Sequence, residues 1–184
     1  GLSKYLVDED AIKDTCSLFQ QEHRGIAILA CGTSYHAGLI GKHVIEDLLE
    51  IPVSVINASE FSYRRHLPAT TLTIAITQSG ETADVLEAAR RVRRMGIPIL
   101  AITNVPYSSI TSVASEVLYT EAGPEVGVAA TKTYTAQLTA LLELALTSPR
   151  IKPQARDMLS AGLARLPDLI RRVLARDSVI EECA

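Results

Sequence analysis

Short apolar runs alternate along this chain with segments in which apolar residues recur every three or four positions. The runs at 26–30 and 72–76 have no polar alternation, which is typical of strands buried on both faces, as in parallel sheets. Similar runs predict further strands at 51–56, 98–103 and 117–119. The pattern therefore predicts five strands, each followed by a segment with helical spacing.

The segments between the strands have the apolar spacing of helices. We predict helices at 8–23, 35–49, 82–95, 109–113 and 131–147, with a short helix or loop at 58–61 that leads to Arg64 and Arg65. Alternating strands and helices predict an α/β fold with a parallel sheet and right-handed connections. We therefore expect a three-layer αβα sandwich with a five-stranded parallel sheet.

The composition changes after Pro149 and Pro153, where an amphipathic helical stretch covers 154–177. We expect Pro167 to break or kink this helix, because proline lacks the backbone N–H that a helix interior needs. The chain is thus divided into a domain at 1–150 and a helical extension at 151–184. It begins with glycine rather than methionine, so we expect a piece of a longer protein.

Composition and charge argue against several classes of function. The chain has 184 residues, a net charge of −3 and no tryptophan, so a nucleic-acid-binding role is not expected. The cysteines Cys16, Cys31 and Cys183 are far apart and odd in number, which fits a reduced, cytoplasmic setting. The four histidines form no metal-binding pattern, and we expect no metal.

No signal peptide or membrane span is expected from the sequence. The longest apolar stretch, 135–146, is too short to cross a bilayer and contains Gln137 and Glu143. The same stretch belongs to a helix with little polar surface, from which we predict self-association as a dimer. The alternative is that this helix is central to the core.

Candidate chemistry is concentrated after the strand at 72–76, where Thr77, Gln78, Ser79, Gly80 and Thr82 precede a helix. A strand ending here would place hydroxyl and amide groups beside the free N–H groups and positive dipole end of the helix. Such a place binds an anion, most simply a phosphate. The alternative is that the hydroxyls cap the helix and the glycine forms a turn.

A second loop of this kind follows the first predicted strand, with Gly32, Thr33 and Ser34. In an open α/β sheet, ligands bind outside the carboxyl ends of the strands. Two hydroxyl-bearing loops at that edge suit a phosphate without a metal, and Gln78 could bind a sugar hydroxyl or carbonyl. Nucleotide motifs fit poorly: Gly32 lacks the later glycines of a dinucleotide fingerprint, and 41–43 lacks the hydroxyl of a P-loop.

Five segments in this order carry a resemblance to a known family: 31–34, 58–64, 78–84, 104–106 and 125–132. They resemble the first sugar isomerase (SIS) domain of glutamine–fructose-6-phosphate aminotransferases over about 26–146. The resemblance implies the flavodoxin-like SIS fold, and it makes the helical extension similar to the connector that leads to a second SIS domain. SIS domains commonly pair, which adds to the expectation of a homodimer.

The resemblance also implies site residues. Ser79 and Thr82 match the family's phosphate-binding positions, and Thr33 and Val128 match its sugar contacts. Positions beside them complete the expected substrate site: Ser34, Thr77 and Gln78. Two departures are visible, since the family often has serine where this chain has Thr77 and Ala130.

The family moves ammonia from glutamine onto fructose 6-phosphate and isomerises the product to glucosamine 6-phosphate, and the resemblance implies no cofactor. Its base and Schiff-base lysine lie in segments outside this stretch, so we expect this chain to bind a phosphosugar without converting it. Two alternatives remain: a sugar-phosphate-sensing module, and a single-domain isomerase with Glu81 as its base. Glu81 stands at a helix start, where a carboxylate also stabilises the dipole.

Overall fold

The computed structural model describes residues 16–63, 66–127 and 129–176 of the chain. The strands are β1 Gly25–Ala30, β2 Val53–Asn57, β3 Thr71–Thr77, β4 Ile99–Thr103 and β5 Glu116–Tyr119. They form one sheet in the order β2-β1-β3-β4-β5, and every neighbouring pair is parallel. The predicted five-stranded parallel sheet is confirmed.

Helices cover both faces of the sheet. They are α1 Ser17–Gln20, α2 Gly32–Leu49, a 3-10 helix Ala58–Tyr63, α3 Ala83–Arg94, α4 Ser109–Val113, α5 Lys132–Thr147 and α6 Pro153–Leu174. One core cluster joins the sheet to α1, α2, α5 and α6, and a second joins it to the 3-10 helix, α3 and α4. The three-layer αβα architecture is therefore confirmed.

Both faces of the sheet carry large apolar side chains, and the face beneath α3 also carries three alanines of the central strands. The cluster beneath α2 and α5 contains the large residues Ile28, Ile74 and Ile102, whereas the one beneath α3 contains Ala27, Ala75 and Ala101. All six are essentially inaccessible to water. Burial of each isoleucine contributes about 1.5–3 kcal/mol, so the central strands are fixed by apolar packing on both sides.

Helix α2 begins at Gly32, three residues earlier than predicted. Cys31 precedes it in an extended conformation, and Gly32 has a φ of +56°, which glycine adopts without strain. Thr33 and Ser34 therefore lie in the first turn of the helix rather than in a loop. This moves their side chains to the helix terminus that faces the carboxyl edge of the sheet.

Two further helix predictions can be compared with the structure. The predicted break at Pro167 does not occur, because α6 continues from Pro153 to Leu174, and the alternative of a kink stays a prediction. Proline at this position removes the N–H that would reach the Leu163 carbonyl. Leu163 is buried, and Leu159 and Leu166 pack against the same core, so tertiary packing holds the helix together despite the lost hydrogen bond.

The predicted helix at 8–23 is much shorter within the described residues, where only Ser17–Gln20 is helical. The Leu18 carbonyl accepts the Gln21 N–H at 3.2 Å and lies 2.7 Å from Nε2 of His23. These contacts close a turn in place of a further helical turn. Residues 8–15, like the predicted Arg64 and Arg65 pair, lie outside the described residues.

Helix α5 is largely buried within the chain, with 11 of its 16 residues in the interior. It packs against α2, where Gly41 approaches so closely that an added Cβ would lie 2.7 Å from Cδ1 of Leu141. The buried residues include Glu143, whose Oε1 has no hydrogen-bond partner. Self-association stays a prediction, since this apolar helix is covered by the chain itself.

Candidate functional site

The sheet has its topological switch point between β1 and β3, which are neighbours although β2 lies between them in sequence. The chain leaves β1 for α2 on one face and leaves β3 for α3 on the other. The two connections diverge and leave a crevice at the carboxyl ends of the strands, which is where open α/β sheets bind ligands. Both helix N-termini border this crevice.

A cleft of about 160 Å³ lies in this crevice. The described residues that line it are Thr33, Ser34, Gln78, Ser79, Thr82, Glu125, Gly127 and Ala130. Thr33 and Ser34 come from the first turn of α2, and the next three come from the connection between β3 and α3. Five of the seven sequence-predicted site residues therefore surround one cleft.

The other two predicted residues are placed differently. Thr77 is buried, with only 2% of its surface exposed, and is not among the cleft-lining residues. Val128 lies outside the described residues. Ala130, where the resembled family often has serine, lines the cleft with a methyl group.

Thr77 organises the connection between β3 and α3 from beneath. Its Oγ1 accepts the Gly80 N–H at 3.2 Å and lies 3.0 Å from Oγ1 of Thr82. Thr82 is the N-cap of α3, but its side chain makes no capping hydrogen bond. Ser79 accepts the Glu81 N–H at 3.1 Å, which leaves its own hydroxyl hydrogen unused in this contact. The connection thus presents hydroxyl groups beside an uncapped helix terminus.

Gly80 is required by both conformation and space. Its φ is +69°, and an added Cβ would lie 2.0 Å from Oγ and 2.4 Å from Cβ of Ser108. The Ser108 hydroxyl donates to the Val105 carbonyl at 2.8 Å, and the Ile110 N–H donates to the Gly80 carbonyl at 3.1 Å. The site connection and the start of α4 are therefore packed directly against each other.

Glu81 also belongs to this contact. Its Oε1 accepts the Ser109 backbone N–H at 2.6 Å, at the start of α4. Hydrogen bonding from Ser109 lowers the pKa of the Glu81 carboxyl, with Arg90 adding a smaller effect in the same direction. A carboxylate held in this way is a weak base, and Glu81 is not among the residues that line the cleft.

Asn104 connects three loops at the carboxyl edge. Its backbone N–H donates to the Gln78 carbonyl at 3.0 Å, and its Nδ2 donates to the Gly123 carbonyl at 2.8 Å. Its Oδ1 accepts the Ala122 N–H at 2.8 Å and the Thr120 hydroxyl at 3.1 Å. One side chain therefore ties the end of β4 to the loops that follow β3 and β5.

Glu125 lines the cleft but is not among the site residues predicted from the sequence. Its Oε2 accepts the backbone N–H and the hydroxyl of Thr133, at 3.2 and 2.8 Å. Thr131 donates its N–H to Oε2 at 3.0 Å and its hydroxyl to Oε1 at 3.2 Å. These hydrogen bonds, with the Thr133 hydroxyl first, lower the pKa of Glu125 to about 2. Glu125 is therefore ionised at neutral pH.

Metal binding and membrane insertion find no support in the described part of the chain. No group of three or more histidine, cysteine, aspartate or glutamate side chains there is arranged to hold a metal ion. None of the helices in 16–63, 66–127 and 129–176 combines the length and apolar character needed to cross a membrane.

The chain is similar to known proteins over most of its length. The SIS domain family model matches residues 18–147. Glutamine–fructose-6-phosphate aminotransferase of Methanosarcina acetivorans is 47% identical over 176 residues, which is 91% of this chain and 28% of that protein. The enzyme of the same name from Mycolicibacterium smegmatis is 47% identical over 186 residues, 96% of this chain and 29% of that protein.

A solved structure of a named aminotransferase domain has a similar fold. The C-terminal domain of glucosamine-fructose-6-phosphate aminotransferase from Francisella tularensis superimposes with a TM-score of 0.86 at 33% identity, covering 99% of this chain and 54% of that one. The chain spans less than a third of the length of the two aminotransferases it matches. The family match over most of the described residues is decisive: this chain belongs to the SIS domain family.

Proposed function

We propose that this chain is the sugar-phosphate-binding unit of a glutamine–fructose-6-phosphate aminotransferase. The observation that carries the proposal is the cleft itself, where Thr33 and Ser34 of α2 and Ser79 and Thr82 beside α3 meet at one switch point. Helix N-termini bind phosphate through free backbone N–H groups and the helix dipole. The aminotransferase relatives, whose names include fructose 6-phosphate, supply the class of ligand.

In this proposal the phosphate lies against Ser79, Thr82 and Gln78, and the sugar extends toward Thr33, Ser34 and Val128. Thr77 acts as a positioning residue. Because its Oγ1 accepts the Gly80 N–H, its own hydroxyl hydrogen can be donated to Thr82. The Thr82 hydroxyl hydrogen is then left for the phosphate. The threonine departure from the family pattern keeps the hydroxyl that this arrangement needs.

We expect the double variant Ser79→Ala, Thr82→Val to bind fructose 6-phosphate about ten- to a hundredfold more weakly, because it loses two hydroxyl hydrogen bonds to a charged group. Isothermal titration calorimetry measures the effect. The matched control Ser112→Ala, Thr139→Val makes the same chemical changes away from the cleft and should bind as the wild type does. Equal affinity of both double variants would refute the site.

We also expect the chain to bind the sugar without converting it. A ketose–aldose isomerisation needs a base positioned at the sugar carbons. Two carboxylates at this edge, Glu81 and Glu125, are held by hydrogen bonds that lower their pKa values and make them weak bases. The purified chain should therefore form no glucosamine 6-phosphate from fructose 6-phosphate and ammonia, as followed by chromatography. Turnover that is lost on Glu81→Gln would favour a single-domain isomerase.

The proposal extends to the organisation of the chain. Residues 1–150 would form the SIS unit, and 151–184 would form an extension that leads toward a second such unit. Helix α6 supports this division, since its first turns pack on the core while Val173 and Leu174 near its end are 60% and 68% exposed. Pairing of two chains remains part of the proposal.

A further inference from the structure

Glu125 brings a carboxylate to a cleft whose other walls consist largely of hydrogen-bond donors. Three of the donors that hold it go to Oε2, and one goes to Oε1. An ionised carboxylate offers about four acceptor positions, two on each oxygen. Oε2 is therefore fully used, whereas Oε1 keeps acceptor capacity for another donor.

The charge of Glu125 also constrains how a ligand can lie. Its four hydrogen bonds come from Thr131 and Thr133 and keep it ionised, so it repels a phosphate group. The same cleft carries Ser79 and Thr82 beside the N-terminus of α3, which attracts an anion. The cleft is thus electrostatically polarised, and a phosphosugar is oriented with its phosphate away from Glu125.

We infer that Glu125 recognises the sugar end of the ligand and selects an ammonium-bearing sugar phosphate over its hydroxyl counterpart. This inference rests on the proposed phosphosugar function. Glu125 lines the same cleft as Ser79 and Thr82, so its carboxylate borders the space into which the sugar would extend. Because Coulomb attraction decreases only slowly with distance, a cationic amino group gains from this carboxylate without a single fixed contact geometry. A neutral hydroxyl gains a hydrogen bond only.

The inference predicts a ratio of affinities that a purely structural role would not change. We would titrate the full chain with glucosamine 6-phosphate, glucose 6-phosphate and inorganic phosphate at about pH 6, where an aliphatic amine is protonated. The wild type should prefer the amino sugar phosphate about fivefold, as expected for a partly solvated charge pair. Glu125→Gln should reduce this preference to about one and should not weaken binding of inorganic phosphate.

Thr133→Val is the matched control, because it removes the Thr133 hydroxyl hydrogen bond to Oε2 and keeps the carboxylate. Its selectivity should equal that of the wild type. If Glu125→Gln fails to fold by circular dichroism, Glu125→Asp, which keeps the charge, should retain the preference in a folded chain. A preference that persists in Glu125→Gln, or that is lost equally in Thr133→Val or in folded Glu125→Asp, would overturn the inference. A wild type that binds neither sugar phosphate would instead overturn the proposed function.

Discussion

Replacing Gly80 with alanine is expected to lower the free energy of unfolding by about 3 kcal/mol and to abolish phosphosugar binding. The alanine would have to adopt a φ of +69°, and its Cβ would lie within 2.4 Å of both Oγ and Cβ of Ser108. Relieving that overlap would separate the β3–α3 connection from α4 and displace Ser79 and Thr82. Urea denaturation and calorimetric titration measure the two effects.

Gly96→Ala separates the two causes. Gly96 has a φ of +74°, but an added Cβ there meets nothing within 4 Å, so this variant reports the backbone cost alone. We expect it to cost about 1 kcal/mol. Adding Ser108→Gly to Gly80→Ala should recover part of the lost stability. Equal costs for Gly80→Ala and Gly96→Ala would show that the contact with Ser108 has no energetic importance.

Glu143→Gln is expected to stabilise the chain at pH 8, by at most about 3 kcal/mol. Burial raises the pKa of Glu143 to about 7, from an ordinary value of 4.5. The folded chain therefore binds a proton between pH 7 and 4.5 that the unfolded chain does not, so the wild type gains stability as pH falls through this window. Above pH 7 the buried carboxylate is charged, and this stabilisation is lost.

The measurement is a series of urea denaturations between about pH 5 and pH 8. The free energy of unfolding of the wild type should decrease as the pH rises, because Glu143 loses its proton. Glu143→Gln should lack this contribution to the pH dependence. Glu87→Gln is the control, since the side chain of Glu87 is 67% exposed and pairs with an equally exposed Arg94. It should alter stability by less than about 1 kcal/mol at either pH. An unchanged pH dependence in Glu143→Gln would contradict the expected role of burial.

The sheet could be predicted from the sequence because apolar runs without alternation, separated by segments of helical spacing, are characteristic of buried parallel strands. The ends of the helices are harder to predict from the sequence than the strands. Helix α2 begins at Gly32, whose positive φ glycine adopts without strain, and α6 passes through Pro167 because Leu163 is buried beneath it. The second outcome depends on tertiary packing, which local propensity does not contain.

Most of the cleft could be predicted from hydroxyl groups at strand ends. Thr77 is predicted beside the ligand, yet it is the last residue of a strand buried on both faces, and its side chain lies in the interior, where it holds Gly80 and Thr82. Glu125 was missed because its partners, Thr131 and Thr133, are six and eight residues away across a loop. No helical or strand period connects such positions, and only the folded loop brings them together.

The hydrogen bonds of Asn104 have a mechanical consequence for ligand binding. Because one side chain holds the Gly123 carbonyl and the Ala122 N–H while its backbone holds Gln78, the two loops cannot move independently. The rim of the cleft therefore behaves as a coupled rigid element. Because both loops are already tied together, a ligand that binds in this cleft would lose little binding free energy to the ordering of its rim.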